Sequence, residues 1–486
     1  MSSLGKTPFI PTADAPLYQQ LYIHMRSVIL HGELKGGSKL PSTRALADEF
    51  NISRNTVVNA YRQLTAEGYL ESIEGSGSFV VHVLPDDLLA PSESPSSSSE
   101  QQSDVRVPTL SKYASLQLVH ASTSASIARP FSSEIPALDV FPADIWSRLI
   151  VRGARQMKGN LLKYQESAGY YPLREAIAAH IAISRQVHCS PEQIVIVSGS
   201  QGALDLSARM LVNAGDPVWM EDPGYIGARG AFLGVGARLV PVPVDEEGLI
   251  VKEGIRRAEG ARLAYITPSH QFPLGHTMSL SRRLELLEWA KRADAYILED
   301  DYDSEYRYAD RPLAALQGLD TAGRVIYIGT FSKVMFPSLR IGYLVLPPPL
   351  VKPFLKVRRL INIHNPLLEQ VALTDFINEG HFARHLRRMR SLYAERRAIL
   401  LSALQKLPLD VESPEAGLHC IGWLPRGIDE QTVVRQAAAH DLDLTPVSTF
   451  AMEPFSRQGL LLGFAGFSAH ELRSGVRRLK DILQSV

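Results

Sequence analysis

Lys333 lies in the segment IGTFSKVMFPSLRIGYLVLP (328–347), between a hydroxyl-rich turn and an apolar run. A lysine that acts as a nucleophile must be partly desolvated, because an apolar environment favours the neutral amine that attacks a carbonyl. The apolar surroundings and the adjacent hydroxyl of Ser332 meet that requirement. A lysine with a purely structural role would show the same local sequence, so other residues of the chain have to decide.

A second set of residues has the chemistry of an anion site. VSGSQGALDLSARM (197–210) ends a predicted strand and opens a helix with Ser200 and Gln201 at its start. The free N–H groups and the dipole of a helix start favour a phosphate, although strand–glycine–helix junctions are also common packing devices. Ser332 would add a hydroxyl donor, and Arg340 would add a charge-assisted pair of hydrogen bonds to the same phosphate.

Acidic and aromatic side chains follow other predicted strands. AYILEDDYDSEYRY (295–308) places Asp300 and Tyr302 at the carboxyl end of a strand, where ligands bind in open α/β sheets. Asp300 could pair with a protonated pyridine nitrogen and Tyr302 could donate to a phenolic oxygen, the two groups that make pyridoxal phosphate an electron sink. Tyr225, in MEDPGYIGAR, could stack on a heterocycle. The acidic cluster also suits a solvated strand end or a metal site, but a magnesium site leaves the lysine and the arginine unexplained.

The elements that would position these side chains are short strands. The runs QIVIVSG, PVWMED, LAYITP, AYILED and VIYIGT are rich in β-branched and aromatic residues, and each is separated from the next by a segment long enough for a helix. Such runs suit strands that are buried on both faces, which predicts a mostly parallel sheet between helical layers. The chemistry would then collect at the carboxyl edge of an α/β domain.

The length and composition of the chain predict more than one domain. It has 486 residues and 45% hydrophobic content, and single cores stop growing at roughly 250 to 300 residues. The stretch APSESPSSSSEQQSD (90–104) is almost free of apolar side chains and cannot offset its ordering entropy, which indicates a flexible linker. We therefore predict an N-terminal domain at 13–82, a linker at 83–108 and a large C-terminal domain at 109–486.

Charge and cysteine content argue against several classes of protein. Lys plus Arg and Asp plus Glu are equal at 51 each, so the whole chain has no bulk attraction to nucleic acid or membrane. The two cysteines, Cys189 and Cys420, fit neither a disulfide framework nor a zinc site. The N-terminus lacks a signal-peptide pattern and no run of about 18 apolar residues occurs. We expect a cytoplasmic protein with neither a membrane partner nor a bound metal.

The N-terminal domain has the pattern of a winged helix-turn-helix. PLYQQLYIHMRSVILHGEL has apolar residues at helical spacing and stops near Gly32. Two short helices follow, which Ser42 and Ser53 can cap. YLESIEGSGSFVV then alternates apolar and polar residues around Gly75 and Gly77, as a hairpin does. The order helix, helix, turn, helix, wing predicts a DNA-binding fold.

DNA recognition requires a helix whose first side chains face the major groove. ISRNTVVNAYRQL provides hydroxyl, guanidinium and amide groups at such a helix start. The pattern alone would also fit a protein-interaction module, since residues 1–82 hold seven basic and seven acidic side chains. The residues that can face the core are Val57, Val58, Tyr61 and Leu64. The predicted DNA contacts are the starts of the two short helices and the wing glycines: Ser42, Thr43, Arg44, Ser53, Arg54, Asn55, Thr56, Gly75 and Gly77.

This N-terminal domain resembles the winged-helix domain of GntR-type regulators. The shared features lie within LPSTRALADEFNISRNTVVNAYRQLTAEGYLESIEGSGSFV (40–80): Pro-Ser-x-Arg-x-Leu-Ala, a Ser-Arg-x-Thr-Val start of the recognition helix, and Glu-Gly-Tyr-Leu followed by a Gly-x-Gly wing. The resemblance implies binding to double-stranded DNA. Because the domain is electrically neutral, its affinity would be modest, and two linked domains on repeated half-sites would be needed.

Residues 130–480 resemble the fold-type I aminotransferases. The ordered set of a phosphate-binding helix start, a stacking tyrosine, an Asp with a Tyr, Ser-Lys and a later Arg carries the resemblance, and YQESAGYYPLREAIAAHI and ITPSHQFPLG match further segments of that family. The resemblance implies a pyridoxal 5'-phosphate cofactor that is bound as a Schiff base to Lys333, the catalytic lysine of that family. It also implies these cofactor contacts: Asp300 to the pyridine nitrogen, Tyr302 to the phenolic oxygen, Tyr225 to the ring face, and Ser200, Gln201, Ser332 and Arg340 to the phosphate.

Two positions depart from that family's pattern. Ordinary members have an asparagine, a donor to the phenolic oxygen, before the proline of the ITPSHQFPLG turn, whereas this chain has Phe272. They also carry an arginine near the C-terminus that binds the substrate carboxylate, whereas GLLLGFAGFS places Leu461 there. Efficient transamination of ordinary amino acids would therefore require another cation, such as Arg229 or Arg457.

The combination of a GntR-type domain with an aminotransferase-like domain resembles the MocR subgroup of GntR regulators. The resemblance implies an α/β protein that forms a head-to-tail homodimer. Its DNA-binding domains would contact repeated half-sites of an operator, and its large domain would sense pyridoxal phosphate or its adduct with an amino compound. Two other hypotheses stay open: an active aminotransferase with an accessory DNA-binding domain, and a regulator whose large domain has lost the cofactor and only dimerises.

Overall fold

The computed structural model describes residues 15–73, 75–84, 128–133, 135–308, 313–412 and 414–486, with residues 9, 11, 109, 111 and 113–115. The chain divides into two compact units, Met1–Pro108 and Thr109–Val486. Most of the predicted linker, residues 85–108, lies outside the described residues. The domain bounds given above stay a prediction.

Within its described residues, the N-terminal unit contains three helices and a two-stranded hairpin. The helices are α1 (Leu17–Leu30), α2 (Thr43–Phe50) and α3 (Arg54–Ala66), and the strands are β1 (Leu70–Ile73) and β2 (Gly77–Val80). The two strands pair antiparallel, with Leu70 opposite Val80 and Ile73 opposite Gly77. The predicted winged helix-turn-helix is confirmed.

Helix capping and burial explain why this short sequence adopts that fold. The side chains of Ser42 and Ser53 accept hydrogen bonds from backbone N–H groups in the first turns of α2 and α3, at 3.2 and 3.1 Å. A helix start otherwise leaves those groups unpaired. Apolar residues from all three helices and both strands form one core, in which Val57 and Leu64 have no exposed surface. Val58, predicted to face the core, is half-buried.

The larger unit is an α/β domain built on an eight-stranded sheet. The strands lie in the order β3-β10-β9-β8-β7-β4-β5-β6. β9, β8, β7, β4 and β5 are mutually parallel, whereas β10 is antiparallel to β3 and β9, and β6 is antiparallel to β5. Their bounds are β3 (Ile194–Val197), β4 (Pro217–Asp222), β5 (Arg238–Asp245), β6 (Gly248–Leu249), β7 (Leu263–Ile266), β8 (Tyr296–Asp301), β9 (Val325–Thr330) and β10 (Gly342–Val345).

The five sequence runs predicted as strands form β3, β4, β7, β8 and β9, so the prediction of a mostly parallel sheet is confirmed for its centre. β5 and β10 were not predicted. β5 contains two prolines, Pro241 and Pro243, which have no backbone N–H to donate to a neighbouring strand. Prolines are rare in central strands, so the sequence did not indicate this one. β10 comes directly after the turn that carries Lys333 and Arg340, where the chemistry of the turn obscures the short apolar run.

The large unit also contains a second, smaller sheet and a set of helices. Four short strands make an antiparallel sheet in the order β11-β12-β14-β13: β11 (Asp410–Val411), β12 (His419–Trp423), β13 (Thr445–Pro446) and β14 (Gly459–Gly463). The helices are α4 (Ala143–Gln156), α5 (Tyr171–Arg185), α6 (Gly199–Leu211), α7 (Ile226–Gly234), α8 (Val251–Ala258), α9 (Leu280–Arg292), α10 (Pro348–Ile361), α11 (Leu368–Asn378), α12 (His381–Leu404), α13 (Glu430–Ala439) and α14 (Ala469–Ser485).

Strand β4 shows that the sheet is buried on both faces. Val218 and Met220 belong to one apolar cluster, which includes α6 and α7. Trp219, between them, points to the opposite face and stacks on Trp289 of α9 at a ring distance of 3.7 Å. Alternate residues of a strand point to opposite faces, so a strand that is apolar throughout must have helices on both sides. Across the described residues, the structure contains no helix that is long and apolar enough to cross a membrane.

Candidate cofactor site and DNA-binding surface

One cavity of about 300 Å³ opens at the carboxyl edge of the large sheet. Strands β3, β4, β8 and β9 all end at this edge, and the predicted cofactor residues lie at the end of a strand or in the turn or helix start that follows one. Because the strands run in the same direction, segments far apart in sequence meet there. All eight residues predicted to bind the cofactor line the cavity: Ser200, Gln201, Tyr225, Asp300, Tyr302, Ser332, Lys333 and Arg340.

Lys333 and Ser332 lie in the turn after β9. Phe331 and Val334, on either side of this pair, are buried, which gives the half-buried lysine an apolar setting. The backbone N–H of Ser332 donates to the hydroxyl of Thr330 at 3.2 Å. The Ser332 hydroxyl itself is buried and has no hydrogen-bond partner among the described residues. A buried hydroxyl is costly without a partner, so this group is suited to a ligand in the cavity.

Asp300 is the penultimate residue of β8, and within the described residues one of its carboxylate oxygens has a hydrogen-bond partner and the other has none. Tyr265 donates to its Oδ2 at 3.0 Å, while Oδ1 is buried and without a hydrogen-bond partner within the described part of the chain. Burial and, to a smaller extent, the charges of Asp301 and Asp303 together raise the pKa of Asp300 to about 7, although the hydrogen bond from Tyr265 lowers it. The Ser200 side chain interacts with the carboxyl group and lowers this pKa. A cationic N–H donor beside Oδ1 would satisfy the carboxylate.

The phosphate-binding chemistry predicted for the start of α6 meets Arg340 in space. The Arg340 guanidinium donates to the backbone oxygen of Ser198 at 3.1 Å. Gly199 has φ +71°, and a Cβ added there would lie 3.5 Å from Arg340 Nη1. Arg340 itself has φ +51°, a left-handed conformation that is uncommon for a residue with a side chain. The free N–H groups of α6 and a guanidinium therefore face the same space, as an anion site requires.

Aromatic rings form another wall of the cavity. The edge of Phe272 meets Tyr225 and Tyr302, with ring distances of 5.9 and 6.0 Å. Behind it, Leu461 is fully buried in a cluster that also contains Phe450. The position expected to hold a carboxylate-binding arginine is thus part of an apolar packing layer.

Neither of the two arginines suggested as substitutes lines the cavity. Arg229 is buried and donates to the backbone oxygens of Gly224 and Ala451, at 3.3 and 3.4 Å. Arg457 forms an ion pair with Asp410 and stacks on Trp423, outside the cavity. In the described structure the Arg229 guanidinium contacts backbone oxygens, and that of Arg457 contacts Asp410 and Trp423.

Several residues that line the cavity or support its walls were not identified from the sequence: Tyr265 and Asp303 line it, and His270 and Asn365 contact lining residues or their neighbours. His270 and Asp303 form a buried pair next to Tyr302, with His270 Nδ1 3.0 Å from Asp303 Oδ2. Ligands bind at the carboxyl ends of strands in open α/β sheets, and TPSHQFPLG follows the end of β7. This observation would have indicated the histidine. Tyr265 and Asn365 gave no such signal, since one lies within a strand and the other in a distant loop. Asn365 donates to the Ser198 hydroxyl at 3.0 Å and so supports the start of α6, where the phosphate is expected to bind.

The donor set of the cavity fits pyridoxal phosphate. The unpaired Oδ1 of Asp300 suits a protonated pyridine nitrogen, and the unpaired hydroxyl of Ser332 suits a phosphate oxygen. Lys333 supplies an amine for the carbonyl, with which pyridoxal phosphate forms a Schiff base when bound. No cluster of three or more His, Cys, Asp or Glu side chains suited to a metal ion occurs in the part of the chain that the structure describes.

The predicted DNA contacts lie on the surface of the N-terminal unit. Gly75, at the hairpin turn, has φ +77° and open space where a side chain would be, which permits a close approach of backbone to DNA. The exposed Lys39, which was not predicted, lies beside Gly77, and its ammonium group is 5.9 Å from the ring of Phe79. Seven predicted residues are exposed and two, Thr43 and Thr56, are half-buried; the exposed ones are Ser42, Arg44, Ser53, Arg54, Asn55, Gly75 and Gly77.

Comparison with known families agrees with both units. Residues 17–80 match the bacterial regulatory proteins of the gntR family, and residues 141–479 match the aminotransferase class I and II family. The solved structure of LysN, an α-aminoadipate aminotransferase from Thermus thermophilus complexed with N-(5'-phosphopyridoxyl)-L-leucine, is 30% identical with a TM-score of 0.67. It covers 73% of this chain, and the match includes 92% of its own.

Similarity to curated regulators extends over nearly the whole chain. The probable rhizopine catabolism regulatory protein MocR of Rhizobium meliloti is 41% identical over 96% of this chain and 94% of its own length. The pyridoxine biosynthesis transcriptional regulator PdxR of Corynebacterium glutamicum is 30% identical over 98% of both chains. The large domain is an aminotransferase-like, pyridoxal phosphate-binding domain, and the small one binds DNA. This chain belongs to the MocR subgroup of the GntR family of transcriptional regulators.

Proposed function

We propose that the large domain senses pyridoxal phosphate, or its product with an amine, and that the bound state sets the affinity of the N-terminal domain for DNA. The observation that carries this proposal is the convergence of eight predicted cofactor residues on one cavity of a chain that also has a DNA-binding domain. Lys333 would hold the cofactor covalently and Asp300 would pair with its ring nitrogen. The remaining assignments are Tyr302 to the phenolic oxygen, Tyr225 to the ring face, and Ser200, Gln201, Ser332 and Arg340 to the phosphate.

A ligand can change DNA binding only if it binds two arrangements of the protein with different affinity. Pyridoxal phosphate brings an anionic phosphate to the start of α6 and a cationic ring nitrogen to Asp300. An amine that displaces Lys333 from the cofactor carbonyl changes the charge and the contacts in the cavity again. Cofactor-free, cofactor-bound and amine-bound protein would therefore favour different arrangements of the DNA-binding domains.

Sensing is favoured over turnover by the cavity wall. Among the described lining residues, the lysine and arginine side chains are Lys333 and Arg340, both assigned to the cofactor. Burial lowers the pKa of His419, another lining residue, to about 3, so its imidazole is neutral. Leu461 lies in an apolar cluster behind Phe272. A substrate carboxylate would therefore face apolar and neutral side chains and the carboxyl group of Asp303, which does not favour the transamination of α-amino acids.

The same wall indicates the chemical class of an effector. The cavity lining also includes Ile135 and Leu418, two apolar residues, and His419. We infer that the cavity accepts a primary amine that lacks a carboxylate. The amine group would react at the cofactor carbonyl, and the rest of the molecule would contact apolar and neutral surfaces.

The assembly that we propose is a cytoplasmic, head-to-tail homodimer on repeated half-sites. Its support is membership of the MocR subgroup and the neutral balance of residues 1–82, since one domain with seven basic and seven acidic side chains gains little from phosphate contacts. Sedimentation of the purified chain, alone and with a DNA fragment carrying one or two half-sites, measures the stoichiometry. A monomer that binds one half-site with full affinity would contradict this assembly.

DNA binding to the region upstream of the chain's own gene tests the function. Fluorescence anisotropy would be measured with cofactor-free protein, with pyridoxal phosphate, and with pyridoxal phosphate plus amines. We expect the affinity or the number of occupied half-sites to change with the ligand, and the response to disappear in Lys333→Ala. Equal binding in all ligand states would refute sensing, and steady turnover with an amino donor and an oxo acid would favour the aminotransferase alternative.

Pairs of amines and amino acids with the same side chain test the effector class. Tyramine with tyrosine, and histamine with histidine, differ only in the carboxylate. We expect each amine to change the visible absorbance of the cofactor-bound protein at a lower concentration than its amino acid. An equal or opposite preference would show that a carboxylate is accommodated, and the effector class would be wrong while cofactor sensing could still hold.

A further inference from the structure

We propose that His270 and Asp303 are positioning residues that fix the hydroxyl of Tyr302 as a hydrogen-bond donor into the cavity. The inference rests on the proposed function, because the acceptor it implies is the phenolic oxygen of bound pyridoxal phosphate. The three residues come from two turns: His270 follows β7, and Tyr302 and Asp303 follow β8.

The pair is built into the fold with little free space. His270 and Asp303 are 2% and 1% exposed. His270 Nδ1 lies 3.0 Å from Asp303 Oδ2 and 2.9 Å from the hydroxyl of Tyr302. Gly417, with φ +85°, covers them: a Cβ at that position would be 2.0 Å from His270 Cε1 and 2.8 Å from Asp303 Oδ2. Only glycine allows the chain to pass so close, so the surrounding structure holds the pair in place.

The contacts decide which way the protons point. A carboxylate accepts hydrogen bonds and cannot donate them, so His270 Nδ1 must carry the hydrogen that faces Asp303. Nδ1 then has no lone pair for the Tyr302 hydroxyl, and the tyrosine oxygen can only accept from it. The hydrogen of the Tyr302 hydroxyl is thereby turned away from His270, toward the cavity that Tyr302 lines.

The charges around Tyr302 keep that hydrogen on the oxygen. Burial raises the pKa of Tyr302 well above its usual value, and the charges of Asp303 and Asp300 raise it further. The ring of His419 lies 5.3 Å from that of His270. It adds no positive charge there, because burial lowers the pKa of His419 to about 3. Phe272 offers no donor where ordinary aminotransferases have an asparagine. Tyr302 therefore carries more of the contact with the ligand, and its orientation matters more.

A double-mutant cycle on the full-length, cofactor-bound protein tests the proposal. The variants are His270→Phe, Tyr302→Phe and the combination, with His270→Asn as the conservative variant, because an asparagine amide can donate from near the position of Nδ1. Two properties would be measured: the dissociation constant of pyridoxal phosphate, and the pH midpoint at which the visible absorbance of the bound cofactor changes.

We expect Tyr302→Phe and His270→Phe each to weaken cofactor binding about fivefold, roughly the effect of one hydrogen bond. Each should also raise the absorbance midpoint by on the order of one pH unit, because a donor to the phenolic oxygen stabilises the deprotonated form. His270→Asn should keep most of both properties. In the Tyr302→Phe background, His270→Phe should have no further effect, since the group through which it acts is gone.

An additive cycle would overturn the proposal, because His270 would then act independently of Tyr302. The same holds if His270→Phe leaves both properties unchanged, or if His270→Asn behaves like His270→Phe. The wild-type measurements separate this inference from the proposed function. If the wild type binds the cofactor and changes its DNA affinity but the mutant cycle is additive, only the positioning role of His270 and Asp303 is refuted. If the wild type does not bind the cofactor, both the positioning role and cofactor sensing are refuted.

Discussion

Tyr265 donates a hydrogen bond of 3.0 Å to Asp300, and both side chains are almost completely buried at the edge of the large sheet. The bond satisfies one carboxylate oxygen and leaves Oδ1 without a partner among the described residues. A buried carboxylate with one unpaired oxygen costs free energy until a donor arrives. This relationship makes the cofactor-free site unstable in a way that depends on pH.

Asp300→Asn should therefore change the pH dependence of the cofactor-free protein. In the folded wild type the pKa of Asp300 is about 7, above its usual value of 3.8. A raised carboxyl pKa contributes stability that is full below the unfolded pKa and is lost as the pH rises through the folded one. As the pH rises from 4 to 7, the free energy of unfolding of the wild type should fall relative to that of the variant, by on the order of 4 kcal/mol.

Thermal or denaturant unfolding across this pH range measures the difference. Glu288→Gln, which changes an exposed carboxylate of α9, is the control and should follow the wild type. With pyridoxal phosphate bound the order should reverse, since the variant has lost the partner of the ring nitrogen. A constant difference at all pH values would contradict the role assigned to burial of Asp300.

Lys333→Ala should abolish the visible absorbance that covalently bound pyridoxal phosphate gives to the protein. The alanine has no amine for the cofactor carbonyl, although the phosphate contacts remain. Absorbance spectroscopy of protein supplied with pyridoxal phosphate and then dialysed is the measurement. Lys352→Ala, on the exposed side of α10, is the matched control and should keep the wild-type spectrum.

Gly199→Ala should weaken the binding of pyridoxal phosphate about tenfold or more, because an alanine is strained at φ +71° and a backbone shift that relieves the strain would move the start of α6 against Arg340, whose Nη1 lies 3.5 Å from the added Cβ. Gly215→Ala controls for the conformational strain: its φ is +89°, and an added Cβ has nothing within 4 Å. Titration with pyridoxal phosphate and with pyridoxal separates the phosphate contribution. If both variants lose the same affinity, Gly199 matters only for backbone conformation.

Arg54→Ala should weaken binding to operator DNA and reduce the slope of log affinity against log salt by about one, as the loss of one phosphate contact would. Arg54 is exposed at the start of α3, where its Nε lies 3.5 Å from the hydroxyl of Thr43. Arg62→Ala removes an exposed arginine from the end of the same helix and serves as the comparison. Equal effects of the two substitutions would argue against the start of α3 as the DNA-contacting part.

Local patterns were sufficient to identify elements and the first ligand-binding residues. Ser42 and Ser53 were recognisable as caps because capping depends on residues only three positions apart. The runs that became β4, β8 and β9 were recognisable because burial on both faces requires continuous apolar sequence. Lys333 and Asp300 then stood out as polar residues next to such runs.

Other parts of the site could not be inferred from the sequence. Tyr265 looks like an ordinary strand residue, and only the pairing of β7 with β8 brings it to Asp300. His270 and Asp303 are 33 positions apart and meet because their strands are neighbours. Arg229 and Arg457 looked like candidate cations, and only their contacts with backbone oxygens and Asp410 show where their guanidinium groups lie.

The sequence by itself determined the two kinds of domain and the family, and it predicted a set of residues for cofactor and DNA binding, because these depend on residue type and short-range order. The tertiary structure decided which groups share the cavity, which oxygen of Asp300 has no partner among the described residues, and which side chains contact the hydroxyl of Tyr302. Those properties arise from contacts between strands and turns that are far apart in the chain, and burial at the sheet edge gives the contacts their effect on protonation.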